Sequence, residues 1–297
     1  MIADTSRQPL ATAGEESISH SRSAWRRLGQ DPLALLGGII LLILVLMAVG
    51  APLVARHEPL TIDPINKLQP PSMEYLMGTD NLGRSIWARI VWGARLTLGS
   101  ATVAMLVILS VGTTIGVISG FYGGWVDDIV MRFVDIVLAF PSLILALAIA
   151  GMLGPSLMNI LIGLSAVGWA TYARLARGMV LSIKEQEYVE AGRCCGASSW
   201  QLIRRHILLN VVSPVVVLAS LDMGGLLLSI SALSFLGLGA QAPQPEWGRM
   251  LNDARPFIQT DPHTMIFPGL AIFVSVMAFN LLGDGLRDVL DPHGNHK

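Results

Sequence analysis

The fold class this sequence predicts is an all-α integral membrane protein with six transmembrane helices, and three observations predict it. Hydrophobic residues make up 53% of the 297 and charged ones only 14%, against about 25% charged in soluble domains. The apolar residues lie in long uncharged runs, which suit helices that satisfy their own backbone polar groups inside a bilayer. Charged residues gather between the runs, most densely from Lys184 to His206. The mean hydropathy of +0.59 agrees, and a formal net charge of −1 gives no electrostatic footprint for a nucleic acid partner.

Residues 1–31 are polar and lack apolar periodicity, so they form a tail whose first ~20 residues are expected to be disordered. Leu33 to Ala55 is 23 residues without a charge, enough for a ~30 Å hydrocarbon core. The run and its polar prelude are too long for a cleaved signal peptide, so 32–55 is assigned as an uncleaved first span. Residues 56–92 form an external segment, where Pro59, Pro64, Pro70 and Pro71 exclude a continuous helix. Ile86, Trp87, Ile90 and Val91 at helical spacing, followed by Trp92, predict an interfacial helix rather than a substrate contact. Residues 93–285 then hold five further helices.

The second span runs from Leu96 to Val126 and includes a turn at Gly123-Gly124. Between Asp135 and Arg174 lie 38 uncharged residues, ~57 Å as one helix and therefore two passes. Gly151 to Ser156 divides them into a hairpin, and Pro141 predicts a kink within the third span. Asp128, Arg132 and Asp135 fall at spacings that predict ion pairs along one helix. The fourth span ends at Arg174 and Arg177. The fifth covers Val211 to Leu238, an external loop 240–262, and the sixth Thr264 to Gly283, leaving 286–297 as a tail.

The charged loop 184–208 carries the clearest local signals. Residues 184–195 favour a helix, and Gly196 supplies a left-handed stop. Ser198 and Gln201 have capping-box spacing and predict a second helix through Trp200 to Leu208. The adjacent Cys194 and Cys195 are expected as free, reduced thiols filling small sites, since metal ligands are usually spaced further apart. With the N-terminus inside, thirteen Lys and Arg lie inside and seven outside, in keeping with the positive-inside rule. Both termini and the charged loop are then cytoplasmic.

The phrase Glu190-Ala191-Gly192 followed by Gly196 resembles the EAA loop of ABC importer permeases. Around it Tyr188, Ala197, Ser198, Trp200, His206-Ile207-Leu208 and Asn210 are similar to the dipeptide/oligopeptide/nickel branch of that family. So are Gly78-Thr79-Asp80 with Gly83-Arg84, the phrase SFLGLG with PEWG (234–239 and 245–248), and the ending GDGLRDVLDPH. Gly192 departs from a usual Ala, Leu209 from a usual Pro and Ser85 from a usual acidic residue. The resemblance implies a type I importer permease fold, and the second permease of a pair, in a bacterial inner membrane. It further implies that Glu190, Ala191, Gly192 and Gly196 form a cytoplasmic coupling helix docking on a separate ATPase. Implied partners are a second homologous permease, two ABC ATPases that use ATP and Mg, a periplasmic or lipid-anchored binding protein, and membrane lipid; no cofactor is bound by the chain itself. Dipeptides, longer peptides, glutathione-like peptides and nickel are the substrates of the branch, and the lack of a metal-site pattern tilts towards peptides.

Chemistry of other kinds is not encoded. No G-x-x-x-x-G-K-[ST], H-E-x-x-H or G-x-S-x-G occurs, and the six histidines do not cluster. An intramembrane hydrolase would need a paired nucleophile and base, and a secondary transporter several mid-bilayer ionisable groups. Asp222 is the one carboxylate near mid-span, ~17 Å along the fifth helix from Val211. A charge there costs at least ~2.5–3.5 kcal/mol, so Asp222 either lines a pathway or fixes helix packing beside Gly224-Gly225.

Overall fold

A computed structural model describes residues 31–290. The predicted disorder of the first residues lies outside that range. Among the described residues the chain is helical, with no strand and one isolated bridge between Thr79 and Ser85. Four helices are long and apolar enough to cross a membrane, and a bent helix pair makes up to five.

Helix α1 (Pro32–Val49) starts on Asp31, whose side chain accepts from Leu33 N–H, and ends at Gly50; a separate turn, α2 (Ala51–Val54), follows. The predicted run 32–55 is thus broken at Gly50. Only the small residues Ala34, Gly37 and Ala48 of α1 are buried, while Leu36, Ile39, Leu42 and Leu46 face outwards. That pattern fits a peripheral helix whose large side chains meet lipid tails. At its end Arg95 donates to the carbonyls of Ala48 and Val49, satisfying acceptors that the helix leaves open.

Helix α3 (Ile86–Tyr122) is 37 residues long, ~55 Å, so its first turns project beyond a ~30 Å core. The predicted interfacial helix and second span are therefore one helix. Ile86, Ile90 and Val91 are buried. Gly123 and Gly124 both take positive φ, and the chain turns into α4 (Gly124–Leu138). Pro141 does more than kink the third span. The helix stops at Leu138, resumes as α5 (Ser142–Leu153), and the two halves meet at 88°. Proline removes one hydrogen bond and also disfavours helical geometry in the residue before it, which accounts for a break at this place.

Helix α6 (Leu157–Ile183) packs parallel to α3 through a seam of small residues. A Cβ on Gly112 would lie 2.5 Å from the Trp169 carbonyl, and one on Gly120 would lie 2.9 Å from the Val180 side chain. After the charged loop, α9 (Leu208–Phe235) and α11 (His263–Leu290) run antiparallel, with Gly224 against Val276 and Asn280, and Gly283 against Leu221. Helix α1 closes on α11, with Gly37 against Ala278 and Leu281, and Gly285 against Ala34. Such close backbone approach replaces the hydrophobic drive that lipid cannot supply. The sixth helix runs past the predicted Gly283 to Leu290.

The two ends of this bundle differ. At one lie the external segment, the turn at Gly154 and the loop after α9, where Ser156 N–H donates to the Leu238 carbonyl at 2.9 Å. The start of α1, the end of α11 and the charged loop lie at the other.

Candidate functional site

The charged loop folds as two short arms around a tight turn. Helix α7 (Glu187–Cys194) carries Glu187 and Glu190 in its first turn and Arg193 in its last, each sign matched to the helix dipole. Val189 is fully buried, while Glu190 and Ala191 on the other side are exposed. At its end Gly196 N–H donates to the Arg193 carbonyl and Ala197 N–H to the Gly192 carbonyl, both at 3.0 Å, and Gly196 has φ +79°. This is a Schellman stop with glycine in the left-handed position. A Cβ added at Gly196 would meet nothing within 4 Å, whereas one at Gly192 would come 2.9 Å from Leu202. Inside the chain, therefore, Gly196 is required by conformation, while a side chain at Gly192 would press only on the end of the Leu202 side chain.

The second arm begins with a complete capping box. Gln201 N–H donates to Ser198 Oγ at 3.3 Å and Ser198 N–H to Gln201 Oε1 at 2.8 Å. Helix α8 (Ser199–Leu202) does not stop at Leu208. A π turn over Ile203–Ile207 carries it on into α9, through Pro214, so the second arm and the membrane helix are continuous. Two contacts brace the arms: the Tyr188 and His206 rings lie 6.0 Å apart, and Asn210 Nδ2 donates to Tyr188 Oη at 3.5 Å. Trp200 and Leu209 are each 68% exposed. With Arg204, Arg205 and His206 they edge a hollow of about 610 Å³. Both Cys194 and Cys195 are exposed, so neither fills a packing site as predicted.

Behind the loop a polar network joins three helix ends. Asp127 accepts two hydrogen bonds from Arg177, at 2.7 and 2.6 Å, and one from Ser119 at 2.5 Å. Lys184 Nζ donates to the Gly120 carbonyl at 3.0 Å, and Arg193 lies 5.8 Å over the Phe121 ring. The expected pairs within α4 are not formed. Among the described residues Arg132 has no ion pair, and Asp135 instead binds Arg174 of α6. The partners Arg174 and Arg177 are nearly 40 and 50 residues away, beyond any helical spacing rule.

Asp222 lies midway along α9, on the wall of a cavity of about 590 Å³ between α3, α5, α6, α9 and α11. Tyr172 of α6, itself 3% exposed, donates to Asp222 Oδ2 at 2.7 Å. Asp222 thus both faces the cavity and bonds α9 to α6. Gly225, one turn on, has open space in place of a side chain. The tyrosine partner carries no signal in the sequence.

At the far end, two motifs that are remote in sequence meet. Asp80 accepts from the N–H groups of Leu82 and Arg84 at 2.9 and 3.0 Å, from Arg84 Nε at 2.7 Å, and from Arg89. Both arginines also face Asp253, at 3.7 and 3.8 Å, on α10 (Trp247–Ala254), within the segment predicted as a loop. Trp247 is fully buried and donates to the Ile90 carbonyl at 3.0 Å. Glu246 caps α10 through Gly248 and Arg249 N–H at 2.9 and 2.8 Å. Burial pushes its carboxyl up from the usual range.

Comparison with known proteins bears on these features together. Residues 112–294 match the family model described as binding-protein-dependent transport system inner membrane component. Residues 19–71 match the N-terminal TM domain of oligopeptide transport permease C. A dipeptide transport system permease protein of Alkalihalophilus pseudofirmus is 46% identical over 93% of this chain and 91% of its own. A glutathione transport system permease protein of Pectobacterium atrosepticum is 42% identical over 91% and 90%. A nickel transport system permease protein of Escherichia coli is 43% identical over 86% and 92%.

Proposed function

Because this chain belongs to the family of binding-protein-dependent transport system inner membrane components, we propose that it forms half of a peptide pathway across a bacterial inner membrane. In this reading a second, homologous permease supplies the other half. Two ABC ATPases dock on the 187–206 turn and hydrolyse ATP with Mg, and a periplasmic or lipid-anchored binding protein delivers di- or oligopeptides. The observation that carries it is the two-arm turn with exposed Glu190, Ala191 and Gly196, running without a break into the helix that holds Asp222. A displacement of the turn by an ATPase would move the cavity wall directly.

Six passes fit this arrangement: α1, α3, the bent pair α4–α5, α6, α9 and α11. Helix α6, 27 residues long or ~40 Å, lies along α3; at the charged end its cap Lys184 reaches the Gly120 carbonyl of α3 and Arg177 reaches Asp127 of α4. The excess of Lys and Arg at that end supports a cytoplasmic position for it and for both termini. Ser72 and Ser199 are exposed at opposite ends. In a background with Cys194 and Cys195 replaced by Ser, a membrane-impermeant thiol reagent on intact cells is expected to label Ser72→Cys and spare Ser199→Cys. The reverse pattern would invert the topology.

Substrate class is tested by ATP-dependent uptake of labelled alanyl-alanine into vesicles holding the four membrane-associated subunits and the binding protein encoded beside this chain. Uptake is expected to compete with other short peptides and not with Ni²⁺. The nickel-transport relative keeps a second reading in play, and accumulation of Ni²⁺ without dipeptide uptake would establish it.

A further inference from the structure

We propose that Asp222, held by Tyr172, is the point inside the cavity that recognises an ammonium group of the transported solute. This rests on the reading that the cavity belongs to the translocation pathway. Among the described residues Asp222 is the only acidic one lining the cavity, and neither Lys, Arg nor His stands on the wall. Tyr172 occupies one acceptor position of Oδ2, and among the described residues no other group donates to the carboxylate. A carboxylate offers about four such positions, so most of its capacity faces the open space. Tyr172 also fixes its direction, from a side chain that is itself buried.

The neighbours select among cations. A divalent metal ion wants several hard or nitrogen ligands, and here there is one carboxylate and no histidine or cysteine. A primary ammonium has three donors. Asp222 can receive them on its free acceptor positions, and the other polar groups on the wall, Thr171, Ser229 and Asn280, are neutral and add no second negative charge. The remaining wall is largely Leu, Ile, Val and Met, with open space at Gly225, which suits the side chains of a short peptide. The inferred ligand class is therefore an organic solute with a free α-ammonium group, not a metal ion.

The test uses the full importer in nanodiscs, with Cys194 and Cys195 replaced by Ser and Ser229→Cys as a reporter on the cavity wall. Modification by the cationic reagent 2-aminoethyl methanethiosulfonate is expected to outpace that by the anionic 2-sulfonatoethyl reagent. Asp222→Asn should lower the ratio of the two rates by at least ~10-fold, the lower end of what charge focusing in a cleft gives. Uptake of labelled alanyl-alanine at subsaturating concentration should fall ~10- to 100-fold in Asp222→Asn, as expected for loss of one charge-assisted hydrogen bond, and be partly kept in Asp222→Glu. A ratio indifferent to Asp222→Asn, at a site that both reagents reach, would overturn the ammonium inference and leave the pathway reading standing. If neither reagent reaches the thiol of the Ser229→Cys variant, at rest or during ATP turnover, the pathway reading fails as well. Loss of complex assembly in both Asp222 variants would assign the residue to packing.

Discussion

Gly196→Val is expected to abolish recovery of the ATPase subunits with the permease, and alanyl-alanine uptake with it. Gly196 sits at φ +79°, where a β-branched residue is an outlier. The left-handed conformation costs an ordinary L-residue ~1–2 kcal/mol and valine more. Since a Cβ meets nothing within 4 Å, the penalty inside this chain is purely conformational. The turn escapes it by rearranging, which breaks the Gly196–Arg193 and Ala197–Gly192 hydrogen bonds and swings α7 away from the Ser198 cap. Any remaining fit to a partner's groove then meets the isopropyl group itself. Gly196→Ala should be intermediate, with the smaller strain and little added bulk. Glu190→Ala should give a partial defect that deepens with salt, because an exposed first-turn carboxylate acts through screened electrostatics. All three variants should insert and pair with the partner permease, since the change lies outside the bilayer. Co-purification of the ATPases is the measurement; full recovery and normal uptake with Gly196→Val would show that another surface couples.

Those loop features were legible because each is a local rule. A glycine stop, a Ser-x-x-Gln cap and a glycine pair at 123–124 act within a few residues, and the structure contains all three. The apolar runs likewise located most of the membrane helices. What escaped depends on residues far apart or on continuity across a weak signal. Spacing alone pairs Arg132 with carboxylates on its own helix, while the partners in the structure come from α6 (Arg174 to Asp135, Arg177 to Asp127). Pro141 announced a disturbance but not its size, because a kink and an 88° break differ in neighbouring packing and not in the proline. Capping at Ser198 predicted a short helix, yet nothing in Ile203–Ile207 stops it, so it runs on into α9. Asp222 was singled out by the cost of its charge, whereas Tyr172 is indistinguishable from an ordinary core aromatic until the fold brings it to 2.7 Å.

The meeting of the two outer motifs was equally invisible, and it carries the second large expectation. Asp80→Ala should loosen the outer platform by ~3–5 kcal/mol, the usual cost of stripping one partner from a buried ion cluster. Arg89 is 1% and Arg84 3% exposed. Without Asp80 their remaining counter-charge is Asp253 at 3.7–3.8 Å, which Arg249 also engages at 2.9 Å. Three guanidinium groups would then share one carboxylate in a site with little access to water. The backbone N–H groups of Leu82 and Arg84 would lose their acceptor as well, so the loop that positions Gly83 against Asp63 opens. Local opening is read by trypsin cleavage after the exposed Lys67, whose rate follows the open population. It should rise ~100-fold or more in the purified complex, as that loss of stability implies. Adding Arg89→Met to Asp80→Ala should recover part of the loss, because an apolar side chain removes the stranded charge. The ATPases should still co-purify with both variants, since the platform lies at the opposite end from the 187–206 turn. Unchanged cleavage in Asp80→Ala would mean that Trp247 and the apolar contacts of Ile86 and Ile90 hold the platform without the ion cluster.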